Sequence, residues 1–595
     1  MKRASGRPNT IWGDYTLIST CQDILELRLG VFRFEGPAIY IFRCHQPSKR
    51  RLPNFNFRLS SPIAWVLALN VGHVVLDGFD ARLKNLRVKS VAIEGLCALV
   101  MDLQNLMALQ TKAKSSVPTS NDAVERELTE LGNVPLPQSI ESSPEMRVIV
   151  RSMEYFNNFI APDLVPVDSP LNPNRFTNDL SWMGEAGCLI FLQVCMTNYH
   201  QSWKRMQWPP RHRLANVPHE LLQPASALVR MPGCQDITFQ QQALKIVQKS
   251  LVGLNARQCG GLLSNILYLI AFQLQRSAFS SWRVHLLGAQ SLVTELGGLH
   301  NMGNITGLTE WDKYHLTSLL IFAATTTPTR QILGDETYYQ QVSAIFQTLD
   351  IDTSQTATPF PTGLFAYIAS VTQLRIRSNG NSGTDLFKQA LNVIEQIRHF
   401  NARAWAEAVA QRNPEVLPAS ELNTEQIIKG YALLVETMKA ATALYALRTL
   451  FLIPLDRCST DAELSKLDLS LPNFIPFHHI DLTLQTYHDL CQILHELFER
   501  KSTGDTSWKF CIWPMVIAGQ QAVYYQDEKE KEFLCWELHN MSRSLGAGAM
   551  QDGAYLISHM FHRQKKGTQK HGQKQSHDGK LTWDEFFEDS PLFMM

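Results

Sequence analysis

The chain has 595 residues, which is longer than one hydrophobic core usually supports, so we expect two or more packed units or one large helical unit. Its hydrophobic fraction of 45% and charged fraction of 18% are those of a globular protein and exclude a chain that is disordered throughout. Lysine plus arginine and aspartate plus glutamate number 55 each, so any contact with nucleic acid must be local.

Cysteine usage and apolar runs bear on the compartment. The eleven cysteines are scattered and lie mostly in apolar segments, which is typical of free, buried thiols in a reducing compartment. The basic N-terminus is not followed by the uninterrupted apolar run of a secretory signal. Apolar stretches such as 62–77 and 262–273 are too short or too interrupted for a membrane span of about 20 residues. We therefore expect no membrane partner.

The N-terminal region, residues 1–110, is basic and of uncertain fold. Residues 1–58 hold ten Lys or Arg against four Asp or Glu. The run Lys49, Arg50 and Arg51 is a candidate for nuclear import or phosphate contact, and an exposed surface cluster is the alternative. The aromatic and basic mixture of this region fits stacking on nucleic acid, a strand-forming segment or a translated non-coding stretch.

The middle of the chain is predicted to be helical. Residues 111–146 are rich in Ser, Thr, Pro and charge and indicate a linker. Beyond it, residues 147–561 show few strand signals and recurring helical periodicity, so we predict an all-α, multi-helix domain. In 281–296 the apolar residues recur in steps of three and four, with Ser280 or Ser281 as the cap and Gly297 and Gly298 as the end. Other predicted helices are 238–251 and 384–397, capped by Thr238 and Thr384, and 263–276, 311–325, 425–452, 477–500 and 514–526.

Signatures of catalysis are missing from the sequence. The phosphate-binding loop, the dinucleotide-binding glycines, the nucleophile elbow and the His-Glu-x-x-His zinc helix do not occur. Cys188 and Cys195 would share one helix face, but their apolar surroundings favour core packing over metal binding. The pairs His478–His479 and His571/His577 lack accompanying cysteines and are interpreted as surface residues. We predict a protein without catalytic, cofactor-binding or metal-binding residues.

The C-terminal end has two parts. Residues 562–580 are basic, without apolar periodicity, and predict a disordered linker whose Lys565 and Lys566 could assist nuclear import. In residues 581–595, Trp583, Phe586 and Phe587 alternate with acidic residues. This pattern is typical of an activation segment that presents aromatics to a coactivator, and a terminal amphipathic helix docked on the domain is the favoured alternative.

Four segments occur in an order that resembles a known family. They are Met153 to Arg175, with an Asn-Pro turn; Trp282, His285, Gly288 and Ala289, in the pattern Trp-x-x-His-Leu-x-Gly-Ala; Trp513 and Pro514, followed by small residues up to Gly519; and Trp583 to Phe587. Together they resemble the fungal-specific transcription-factor regulatory domain, which follows binuclear zinc-cluster DNA-binding modules in filamentous fungi. The resemblance covers about 146–595.

The resemblance implies an all-helical regulatory domain that represses, dimerises or senses a small effector. The expected partners are a second copy of the chain, promoter DNA bound directly or through a partner factor, a coactivator or corepressor, and a small-molecule effector. The motif residues have structural roles in this interpretation. We expect His285 to be buried and hydrogen-bonded, and Gly288 and Ala289 to let a neighbouring helix approach.

One departure from the family concerns zinc. A binuclear zinc cluster needs six cysteines within a short stretch, whereas only Cys21, Cys44 and Cys97 precede Cys188 here. As written, the chain needs no cofactor, and zinc enters only if a cysteine cluster upstream is missing. The hypothesis is a nuclear transcriptional regulator of the zinc-cluster type that controls genes of specialised metabolism or tolerance of toxic compounds. The alternative is a helical interaction protein that modulates a DNA-binding partner.

Overall fold

The computed structural model describes most of the chain beyond residue 143. The described residues are 144–165, 187–206, 223–228, 234–252, 259–378, 384–413, 423–451, 478–570 and 581–588. The predictions for residues 1–110, including Lys49, Arg50 and Arg51, lie outside the described residues, and so do those for His571 and His577.

Every regular element in the described stretches is a helix. The α-helices, numbered here in chain order, are α1 (Pro144–Tyr155), α2 (Gly187–Arg205), α3 (Ala225–Leu228), α4 (Cys234–Val252), α5 (Cys259–Arg276), α6 (Trp282–Glu295), α7 (Glu310–Thr325), α8 (Glu336–Thr348), α9 (Thr362–Ser378), α10 (Thr384–His399), α11 (Ala402–Arg412), α12 (Thr424–Leu450), α13 (His478–Glu499), α14 (Ile512–Tyr525), α15 (Glu528–Leu545), α16 (Gly548–Lys570) and α17 (Trp583–Phe587). Short π and 3-10 turns join several of them. No described residue belongs to a strand, so the predicted all-α fold is confirmed for this part of the chain. None of the described helices is long and apolar enough to cross a membrane.

The longest helix, α12, lies at the centre of the core. It packs against α9, α10, α11, α13 and α14. From Ala441 to Leu450 every residue is buried, which explains why this half of the helix lacks the polar face of a surface helix. Buried hydroxyls in it are satisfied locally, because Thr442 and Thr449 donate to the carbonyls one turn earlier.

At the two ends of α6, the glycine signal predicted the helix end correctly and the serine signal predicted the helix start incorrectly. At its C-terminus, Gly297 and Gly298 adopt φ values of +103° and +87°, and their N–H groups donate to the carbonyls of Thr294 and Val293. This is the glycine-dependent helix end that the sequence predicts. The predicted serine cap is wrong: Ser281 precedes the helix with φ −72° and ψ 18°, and its side chain makes no cap hydrogen bond. A cap needs the extended backbone that this tight turn does not have.

Two other predicted boundaries also differ. Helix α4 begins at Cys234, so Thr238 lies inside the helix and cannot be its cap. Helix α16 continues to Lys570, so the first nine residues of the predicted linker 562–580 are helical. The helix stays on the core because the amide of Gln564 donates to the carbonyl of Tyr524 and Phe561 is buried. Because glutamine is polar, its contact with the core leaves no apolar periodicity in the sequence.

The two glycines of the family motifs differ in their surroundings. A Cβ atom built on Gly519 in α14 would lie 2.3 Å from Cδ1 of Ile557, so α14 and α16 approach closely there, as the small residues predict. A Cβ atom built on Gly288 in α6 would meet no atom within 4 Å. The prediction that Gly288 lets a neighbouring helix approach is therefore wrong for the described residues.

We predict opposite effects for alanine at these two glycines. Gly288→Ala should stabilise the protein by about 0.5–1 kcal/mol, because glycine disfavours a helix and the methyl group meets open space. Gly519→Ala should destabilise it by about 1–3 kcal/mol, because Ile557 must move in a packed core. Urea unfolding followed by circular dichroism measures both. Equal shifts of the unfolding midpoint would contradict the helix packing described here.

Candidate functional site

The C-terminal helix α17 docks into the core of the domain. It begins with a capping box, in which Thr582 and Glu585 each accept a hydrogen bond from the other's backbone N–H. The side chains of Trp583, Phe586 and Phe587 are buried, with at most 2% of their surface exposed. Because burying a large apolar side chain contributes about 1.5–3 kcal/mol, these three form a strong attachment for a helix of five residues.

Trp583 binds the end of α7 together with a second tryptophan. Its indole Nε1 donates to the main-chain carbonyl of Thr325 at 2.8 Å. The indole Nε1 of Trp513, the first residue of the Trp-Pro motif, donates to the hydroxyl of the same Thr325, also at 2.8 Å. The hydroxyl in turn donates to the carbonyl of Phe322. One threonine therefore joins the third and fourth family segments.

A buried arginine completes this attachment. Arg375 in α9 is 1% exposed, and its guanidinium donates to the carbonyls of Ala324 and Thr327, to the hydroxyl of Thr329 and to the carboxylate of Asp584 in α17. The contact from Nη2 of Arg375 to Oδ1 of Asp584 is 2.5 Å. Burial alone would lower the pKa of Arg375, but the Tyr445 hydroxyl and the Asp584 carboxylate outweigh it and leave the pKa above its usual value. The guanidinium thus stays charged and requires its carboxylate.

Two acidic residues of α17 and Glu588, which directly follows the helix, have structural partners. Asp584 also accepts from the backbone N–H of Thr329, Glu585 caps the helix, and Glu588 forms an exposed ion pair with Arg330. The sequence allowed either an exposed activation segment or a docked amphipathic helix. In the structure, Trp583, Phe586 and Phe587 belong to a docked helix. Their aromatic rings could meet a coactivator only if α17 left the core.

A cavity of about 460 Å³ lies beside this attachment. Its walls come from the turn after α1, from α5, from one face of α7 between Trp311 and Phe322, from the segment 355–360, from the start of α14 and from residues 545–550. Most of the wall is apolar, and the rings of Phe322 and Trp513 form part of it, with their centroids 5.6 Å apart. Its volume lies within the range of about 300–1,000 Å³ that is usual for pockets holding organic ligands.

The charged groups around the cavity are compensated. Lys509 forms an ion pair with Asp163 at 2.5 Å. Asp312 accepts hydrogen bonds from Ser264 and from the backbone of Thr309, at the N-terminus of α7, where the helix dipole favours a negative charge. The cavity is therefore apolar with charge-neutral edges.

The motif histidine is buried as predicted, but within the described part of the chain one of its two ring nitrogens lacks a hydrogen bond. His285 is 1% exposed, and burial lowers its pKa to about 4, so the ring is neutral at physiological pH. Among the described residues, no atom forms a hydrogen bond with its Nδ1. The motif Trp282 is also buried, and its indole donates to the carbonyl of Ala278. Ala289 packs in the core, and Pro514 is buried in α14.

The cysteines and histidines considered for metal binding do not form a site in the described part of the chain. Cys188 and Cys195 are buried, and burial raises the pKa of the Cys188 thiol to about 12, so it stays protonated. Helix α13 begins at His478, and the side chains of His478 and His479 lie outside the described residues. No group of three or more His, Cys, Asp or Glu side chains among the described residues could hold a metal ion. Lys565 and Lys566 are exposed on α16.

A buried carboxylate that the sequence analysis missed joins α16 to α3 and to the turn between α5 and α6. Asp552 in α16 accepts hydrogen bonds from Ser277 and from the backbone N–H groups of Ala225 and Ala278. Burial raises its pKa to about 6, against the lowering effect of these hydrogen bonds. A single aspartate among the apolar residues of α16 was the available sequence signal.

With this geometry in place, comparison with known proteins defines the class. Residues 151–551 match the family described as the fungal specific transcription factor domain, and the chain belongs to that family. It is similar to the phomenoic acid biosynthesis cluster-specific transcriptional regulator of Leptosphaeria maculans, with 23% identity over 295 residues. This aligned segment covers 49% of each of the two chains. The chain thus spans about half the length of this relative. No solved structure matches it significantly. The family that the chain belongs to is one of transcription factors and not of enzymes.

We predict that Asp584 and Glu588 contribute differently to the free energy of unfolding. Asp584→Asn should destabilise the protein by about 2 kcal/mol, because it removes the carboxylate that balances a buried guanidinium. Glu588→Gln is the matched control and should change stability by less than about 0.5 kcal/mol, since its pair with Arg330 is exposed. Urea unfolding at neutral pH compares the two. Equal effects would show that the Arg375–Asp584 pair does not hold α17.

Asp552 should give stability a distinct pH dependence. Its pKa is about 6 in the folded chain and about 3.9 when unfolded, so the folded state holds the proton more tightly between these values. Stability from this group is therefore highest below about pH 4 and falls by roughly 3 kcal/mol as the pH rises through 6 to about 7. Asp552→Asn removes this slope, so the stability difference between wild type and variant should shrink from pH 4 to pH 7. Parallel curves would be contrary to this account.

Proposed function

We propose that this chain is a nuclear regulator that controls the genes of a specialised-metabolite cluster. The family match over residues 151–551 supports a role in transcription. The observation that carries the finer proposal is the relative in Leptosphaeria maculans, whose name assigns it to a biosynthesis cluster. Control of genes for tolerance of toxic compounds is the second target class within the same proposal.

The described helical domain acts as the regulatory body in this proposal. Its charged side chains around the cavity and α17 are engaged within the protein, so the domain offers no obvious phosphate-binding surface there. In this proposal one of three parts contacts DNA: a zinc cluster in a segment upstream of the present sequence, the basic region 1–110, or a partner factor. Zinc is a cofactor only in the first case, because the sequence holds three cysteines before Cys188.

Import and assembly complete the proposal. Lys565 and Lys566 are exposed on α16 and, with Lys49, Arg50 and Arg51, are the residues we assign to nuclear import. The chain acts as a homodimer and recruits a coactivator or corepressor. If the segment Trp583–Phe587 makes that contact, it does so after α17 leaves the core.

The shortage of N-terminal cysteines favours a specific second candidate. In this candidate the chain is a helical interaction protein that modulates a DNA-binding partner and does not touch DNA itself. Binding of the partner by a chain that fails to bind promoter DNA would distinguish it from the first proposal.

Chromatin immunoprecipitation of a tagged copy of the chain tests the first proposal. We expect discrete peaks at promoters within one biosynthetic gene cluster, and lower or higher transcripts of those genes when the chain is deleted. An untagged strain is the control, and mapping the 5′ end of the transcript shows whether a six-cysteine segment precedes the present sequence. A cytoplasmic chain without promoter peaks would reject the proposal and favour the interaction protein.

A further inference from the structure

The cavity beside α17 has the properties of a ligand site. Sites for organic ligands are concave, mostly apolar clefts or cavities in which a few polar groups fix the orientation of the ligand. The space of about 460 Å³ beside α17 is concave, mostly apolar and partly open to solvent. The family match and the relative assign no role to this space.

The lining restricts the chemistry of a ligand. Aromatic and aliphatic side chains such as Phe156, Leu267 and Phe360 form most of the wall, which favours an apolar body. Two amides have unused hydrogen-bonding capacity: Gln275 is buried and its Oε1 accepts no hydrogen bond, and Nε2 of Gln355 donates none among the described residues. They suit a hydroxyl or carbonyl group on the ligand.

Charge on the ligand is disfavoured. The ammonium of Lys509 is already paired with Asp163, and the carboxylate of Asp312 is held by Ser264 and the start of α7. Neither group is free to balance a buried ligand charge, and an unbalanced buried charge is costly. An uncharged molecule of drug-like size fits this cavity best.

A short chain of contacts connects the cavity to α17. The ring of Trp513 lies in the cavity wall, its Nε1 donates to the hydroxyl of Thr325, and the carbonyl of Thr325 accepts from Trp583. Phe322, also in the wall, supplies the carbonyl that receives the Thr325 hydroxyl proton. A ligand that packs on both rings fixes them in the positions that place Thr325 for Trp583.

We propose that this cavity binds an uncharged, largely apolar small molecule carrying one or two hydroxyl or carbonyl groups, and that the bound molecule strengthens the docking of α17. Since binding and docking share the same rings, each stabilises the other. The consequence for transcription rests on the proposed function. Binding and docking themselves are properties of the purified full-length chain.

Titration with N-phenyl-1-naphthylamine, an uncharged probe whose fluorescence rises in apolar surroundings, tests the site. Saturable binding by the wild-type chain is expected. Ala271→Trp and Ala357→Phe, which add bulk to the cavity wall from two different elements, should each weaken it about tenfold or more. Ala408→Trp, on a half-buried helix position away from the cavity, is the control and should bind as wild type.

Two results would overturn the binding site. They are the absence of saturable probe binding to the folded wild-type chain, and probe binding that is unchanged in the cavity variants. Circular dichroism and thermal unfolding establish that each variant is folded, and if Ala271→Trp does not fold, Ala357→Phe decides the matter.

Hydrogen exchange of the amides in residues 581–588 tests the link to α17. Saturating probe should slow their exchange in the wild type by about fivefold or more. Thr325 does not line the cavity, and Thr325→Val removes the hydroxyl that accepts from Trp513 while keeping the carbonyl that accepts from Trp583. The probe should therefore still bind but no longer slow exchange. Unchanged exchange in the saturated wild type would overturn the coupling. Because none of these measurements uses DNA, their failure leaves promoter occupancy unaffected, and a lack of promoter peaks leaves them unaffected.

Discussion

The C-terminal end of α7 is the point on which the described core depends. The last carbonyls of any helix have no partner within the helix and must find one elsewhere. Here the partners come from distant segments: Arg375 of α9 takes the carbonyls of Ala324 and Thr327, and Trp583 of α17 takes that of Thr325. Because a buried carbonyl without a partner is costly, the end of α7 requires α9 and α17 at the same time.

This constraint accounts for the acidic and aromatic composition of the C-terminal segment. The aromatic rings fill the space beside α7, and Asp584 balances the guanidinium that serves the α7 carbonyls. Glu585 caps the helix. A pattern that is typical of an activation segment is thus explained residue by residue as the last packed helix of a regulatory domain. The two roles are compatible only in a protein that can release α17, and the adjacent cavity provides a place where a ligand would oppose release.

The sequence predicted the fold class better than it predicted the site. The helices for which spans were predicted lie within a few residues of those spans, because periodicity and glycine ends are local signals, as Gly297 and Gly298 illustrate. The pairing of Arg375 with Asp584 joins residues 209 positions apart, and no local pattern reveals it. Asp552 and the cavity depend in the same way on how helices meet. Gly288 illustrates a different error of the sequence analysis. It was predicted to allow a close helix contact because it belongs to a motif, but no described atom lies within 4 Å of a Cβ built on it.

Ending the chain after Lys580 tests the central claim most directly. If α17 completes the core, urea unfolding of the shortened chain should begin at lower denaturant, with a loss of roughly 5 kcal/mol or more from the buried Trp583, Phe586 and Phe587. The end of α7 should then exchange its amide hydrogens faster. An unfolding midpoint equal to that of the full chain would contradict the account, because it would mean that the core does not need its C-terminal helix.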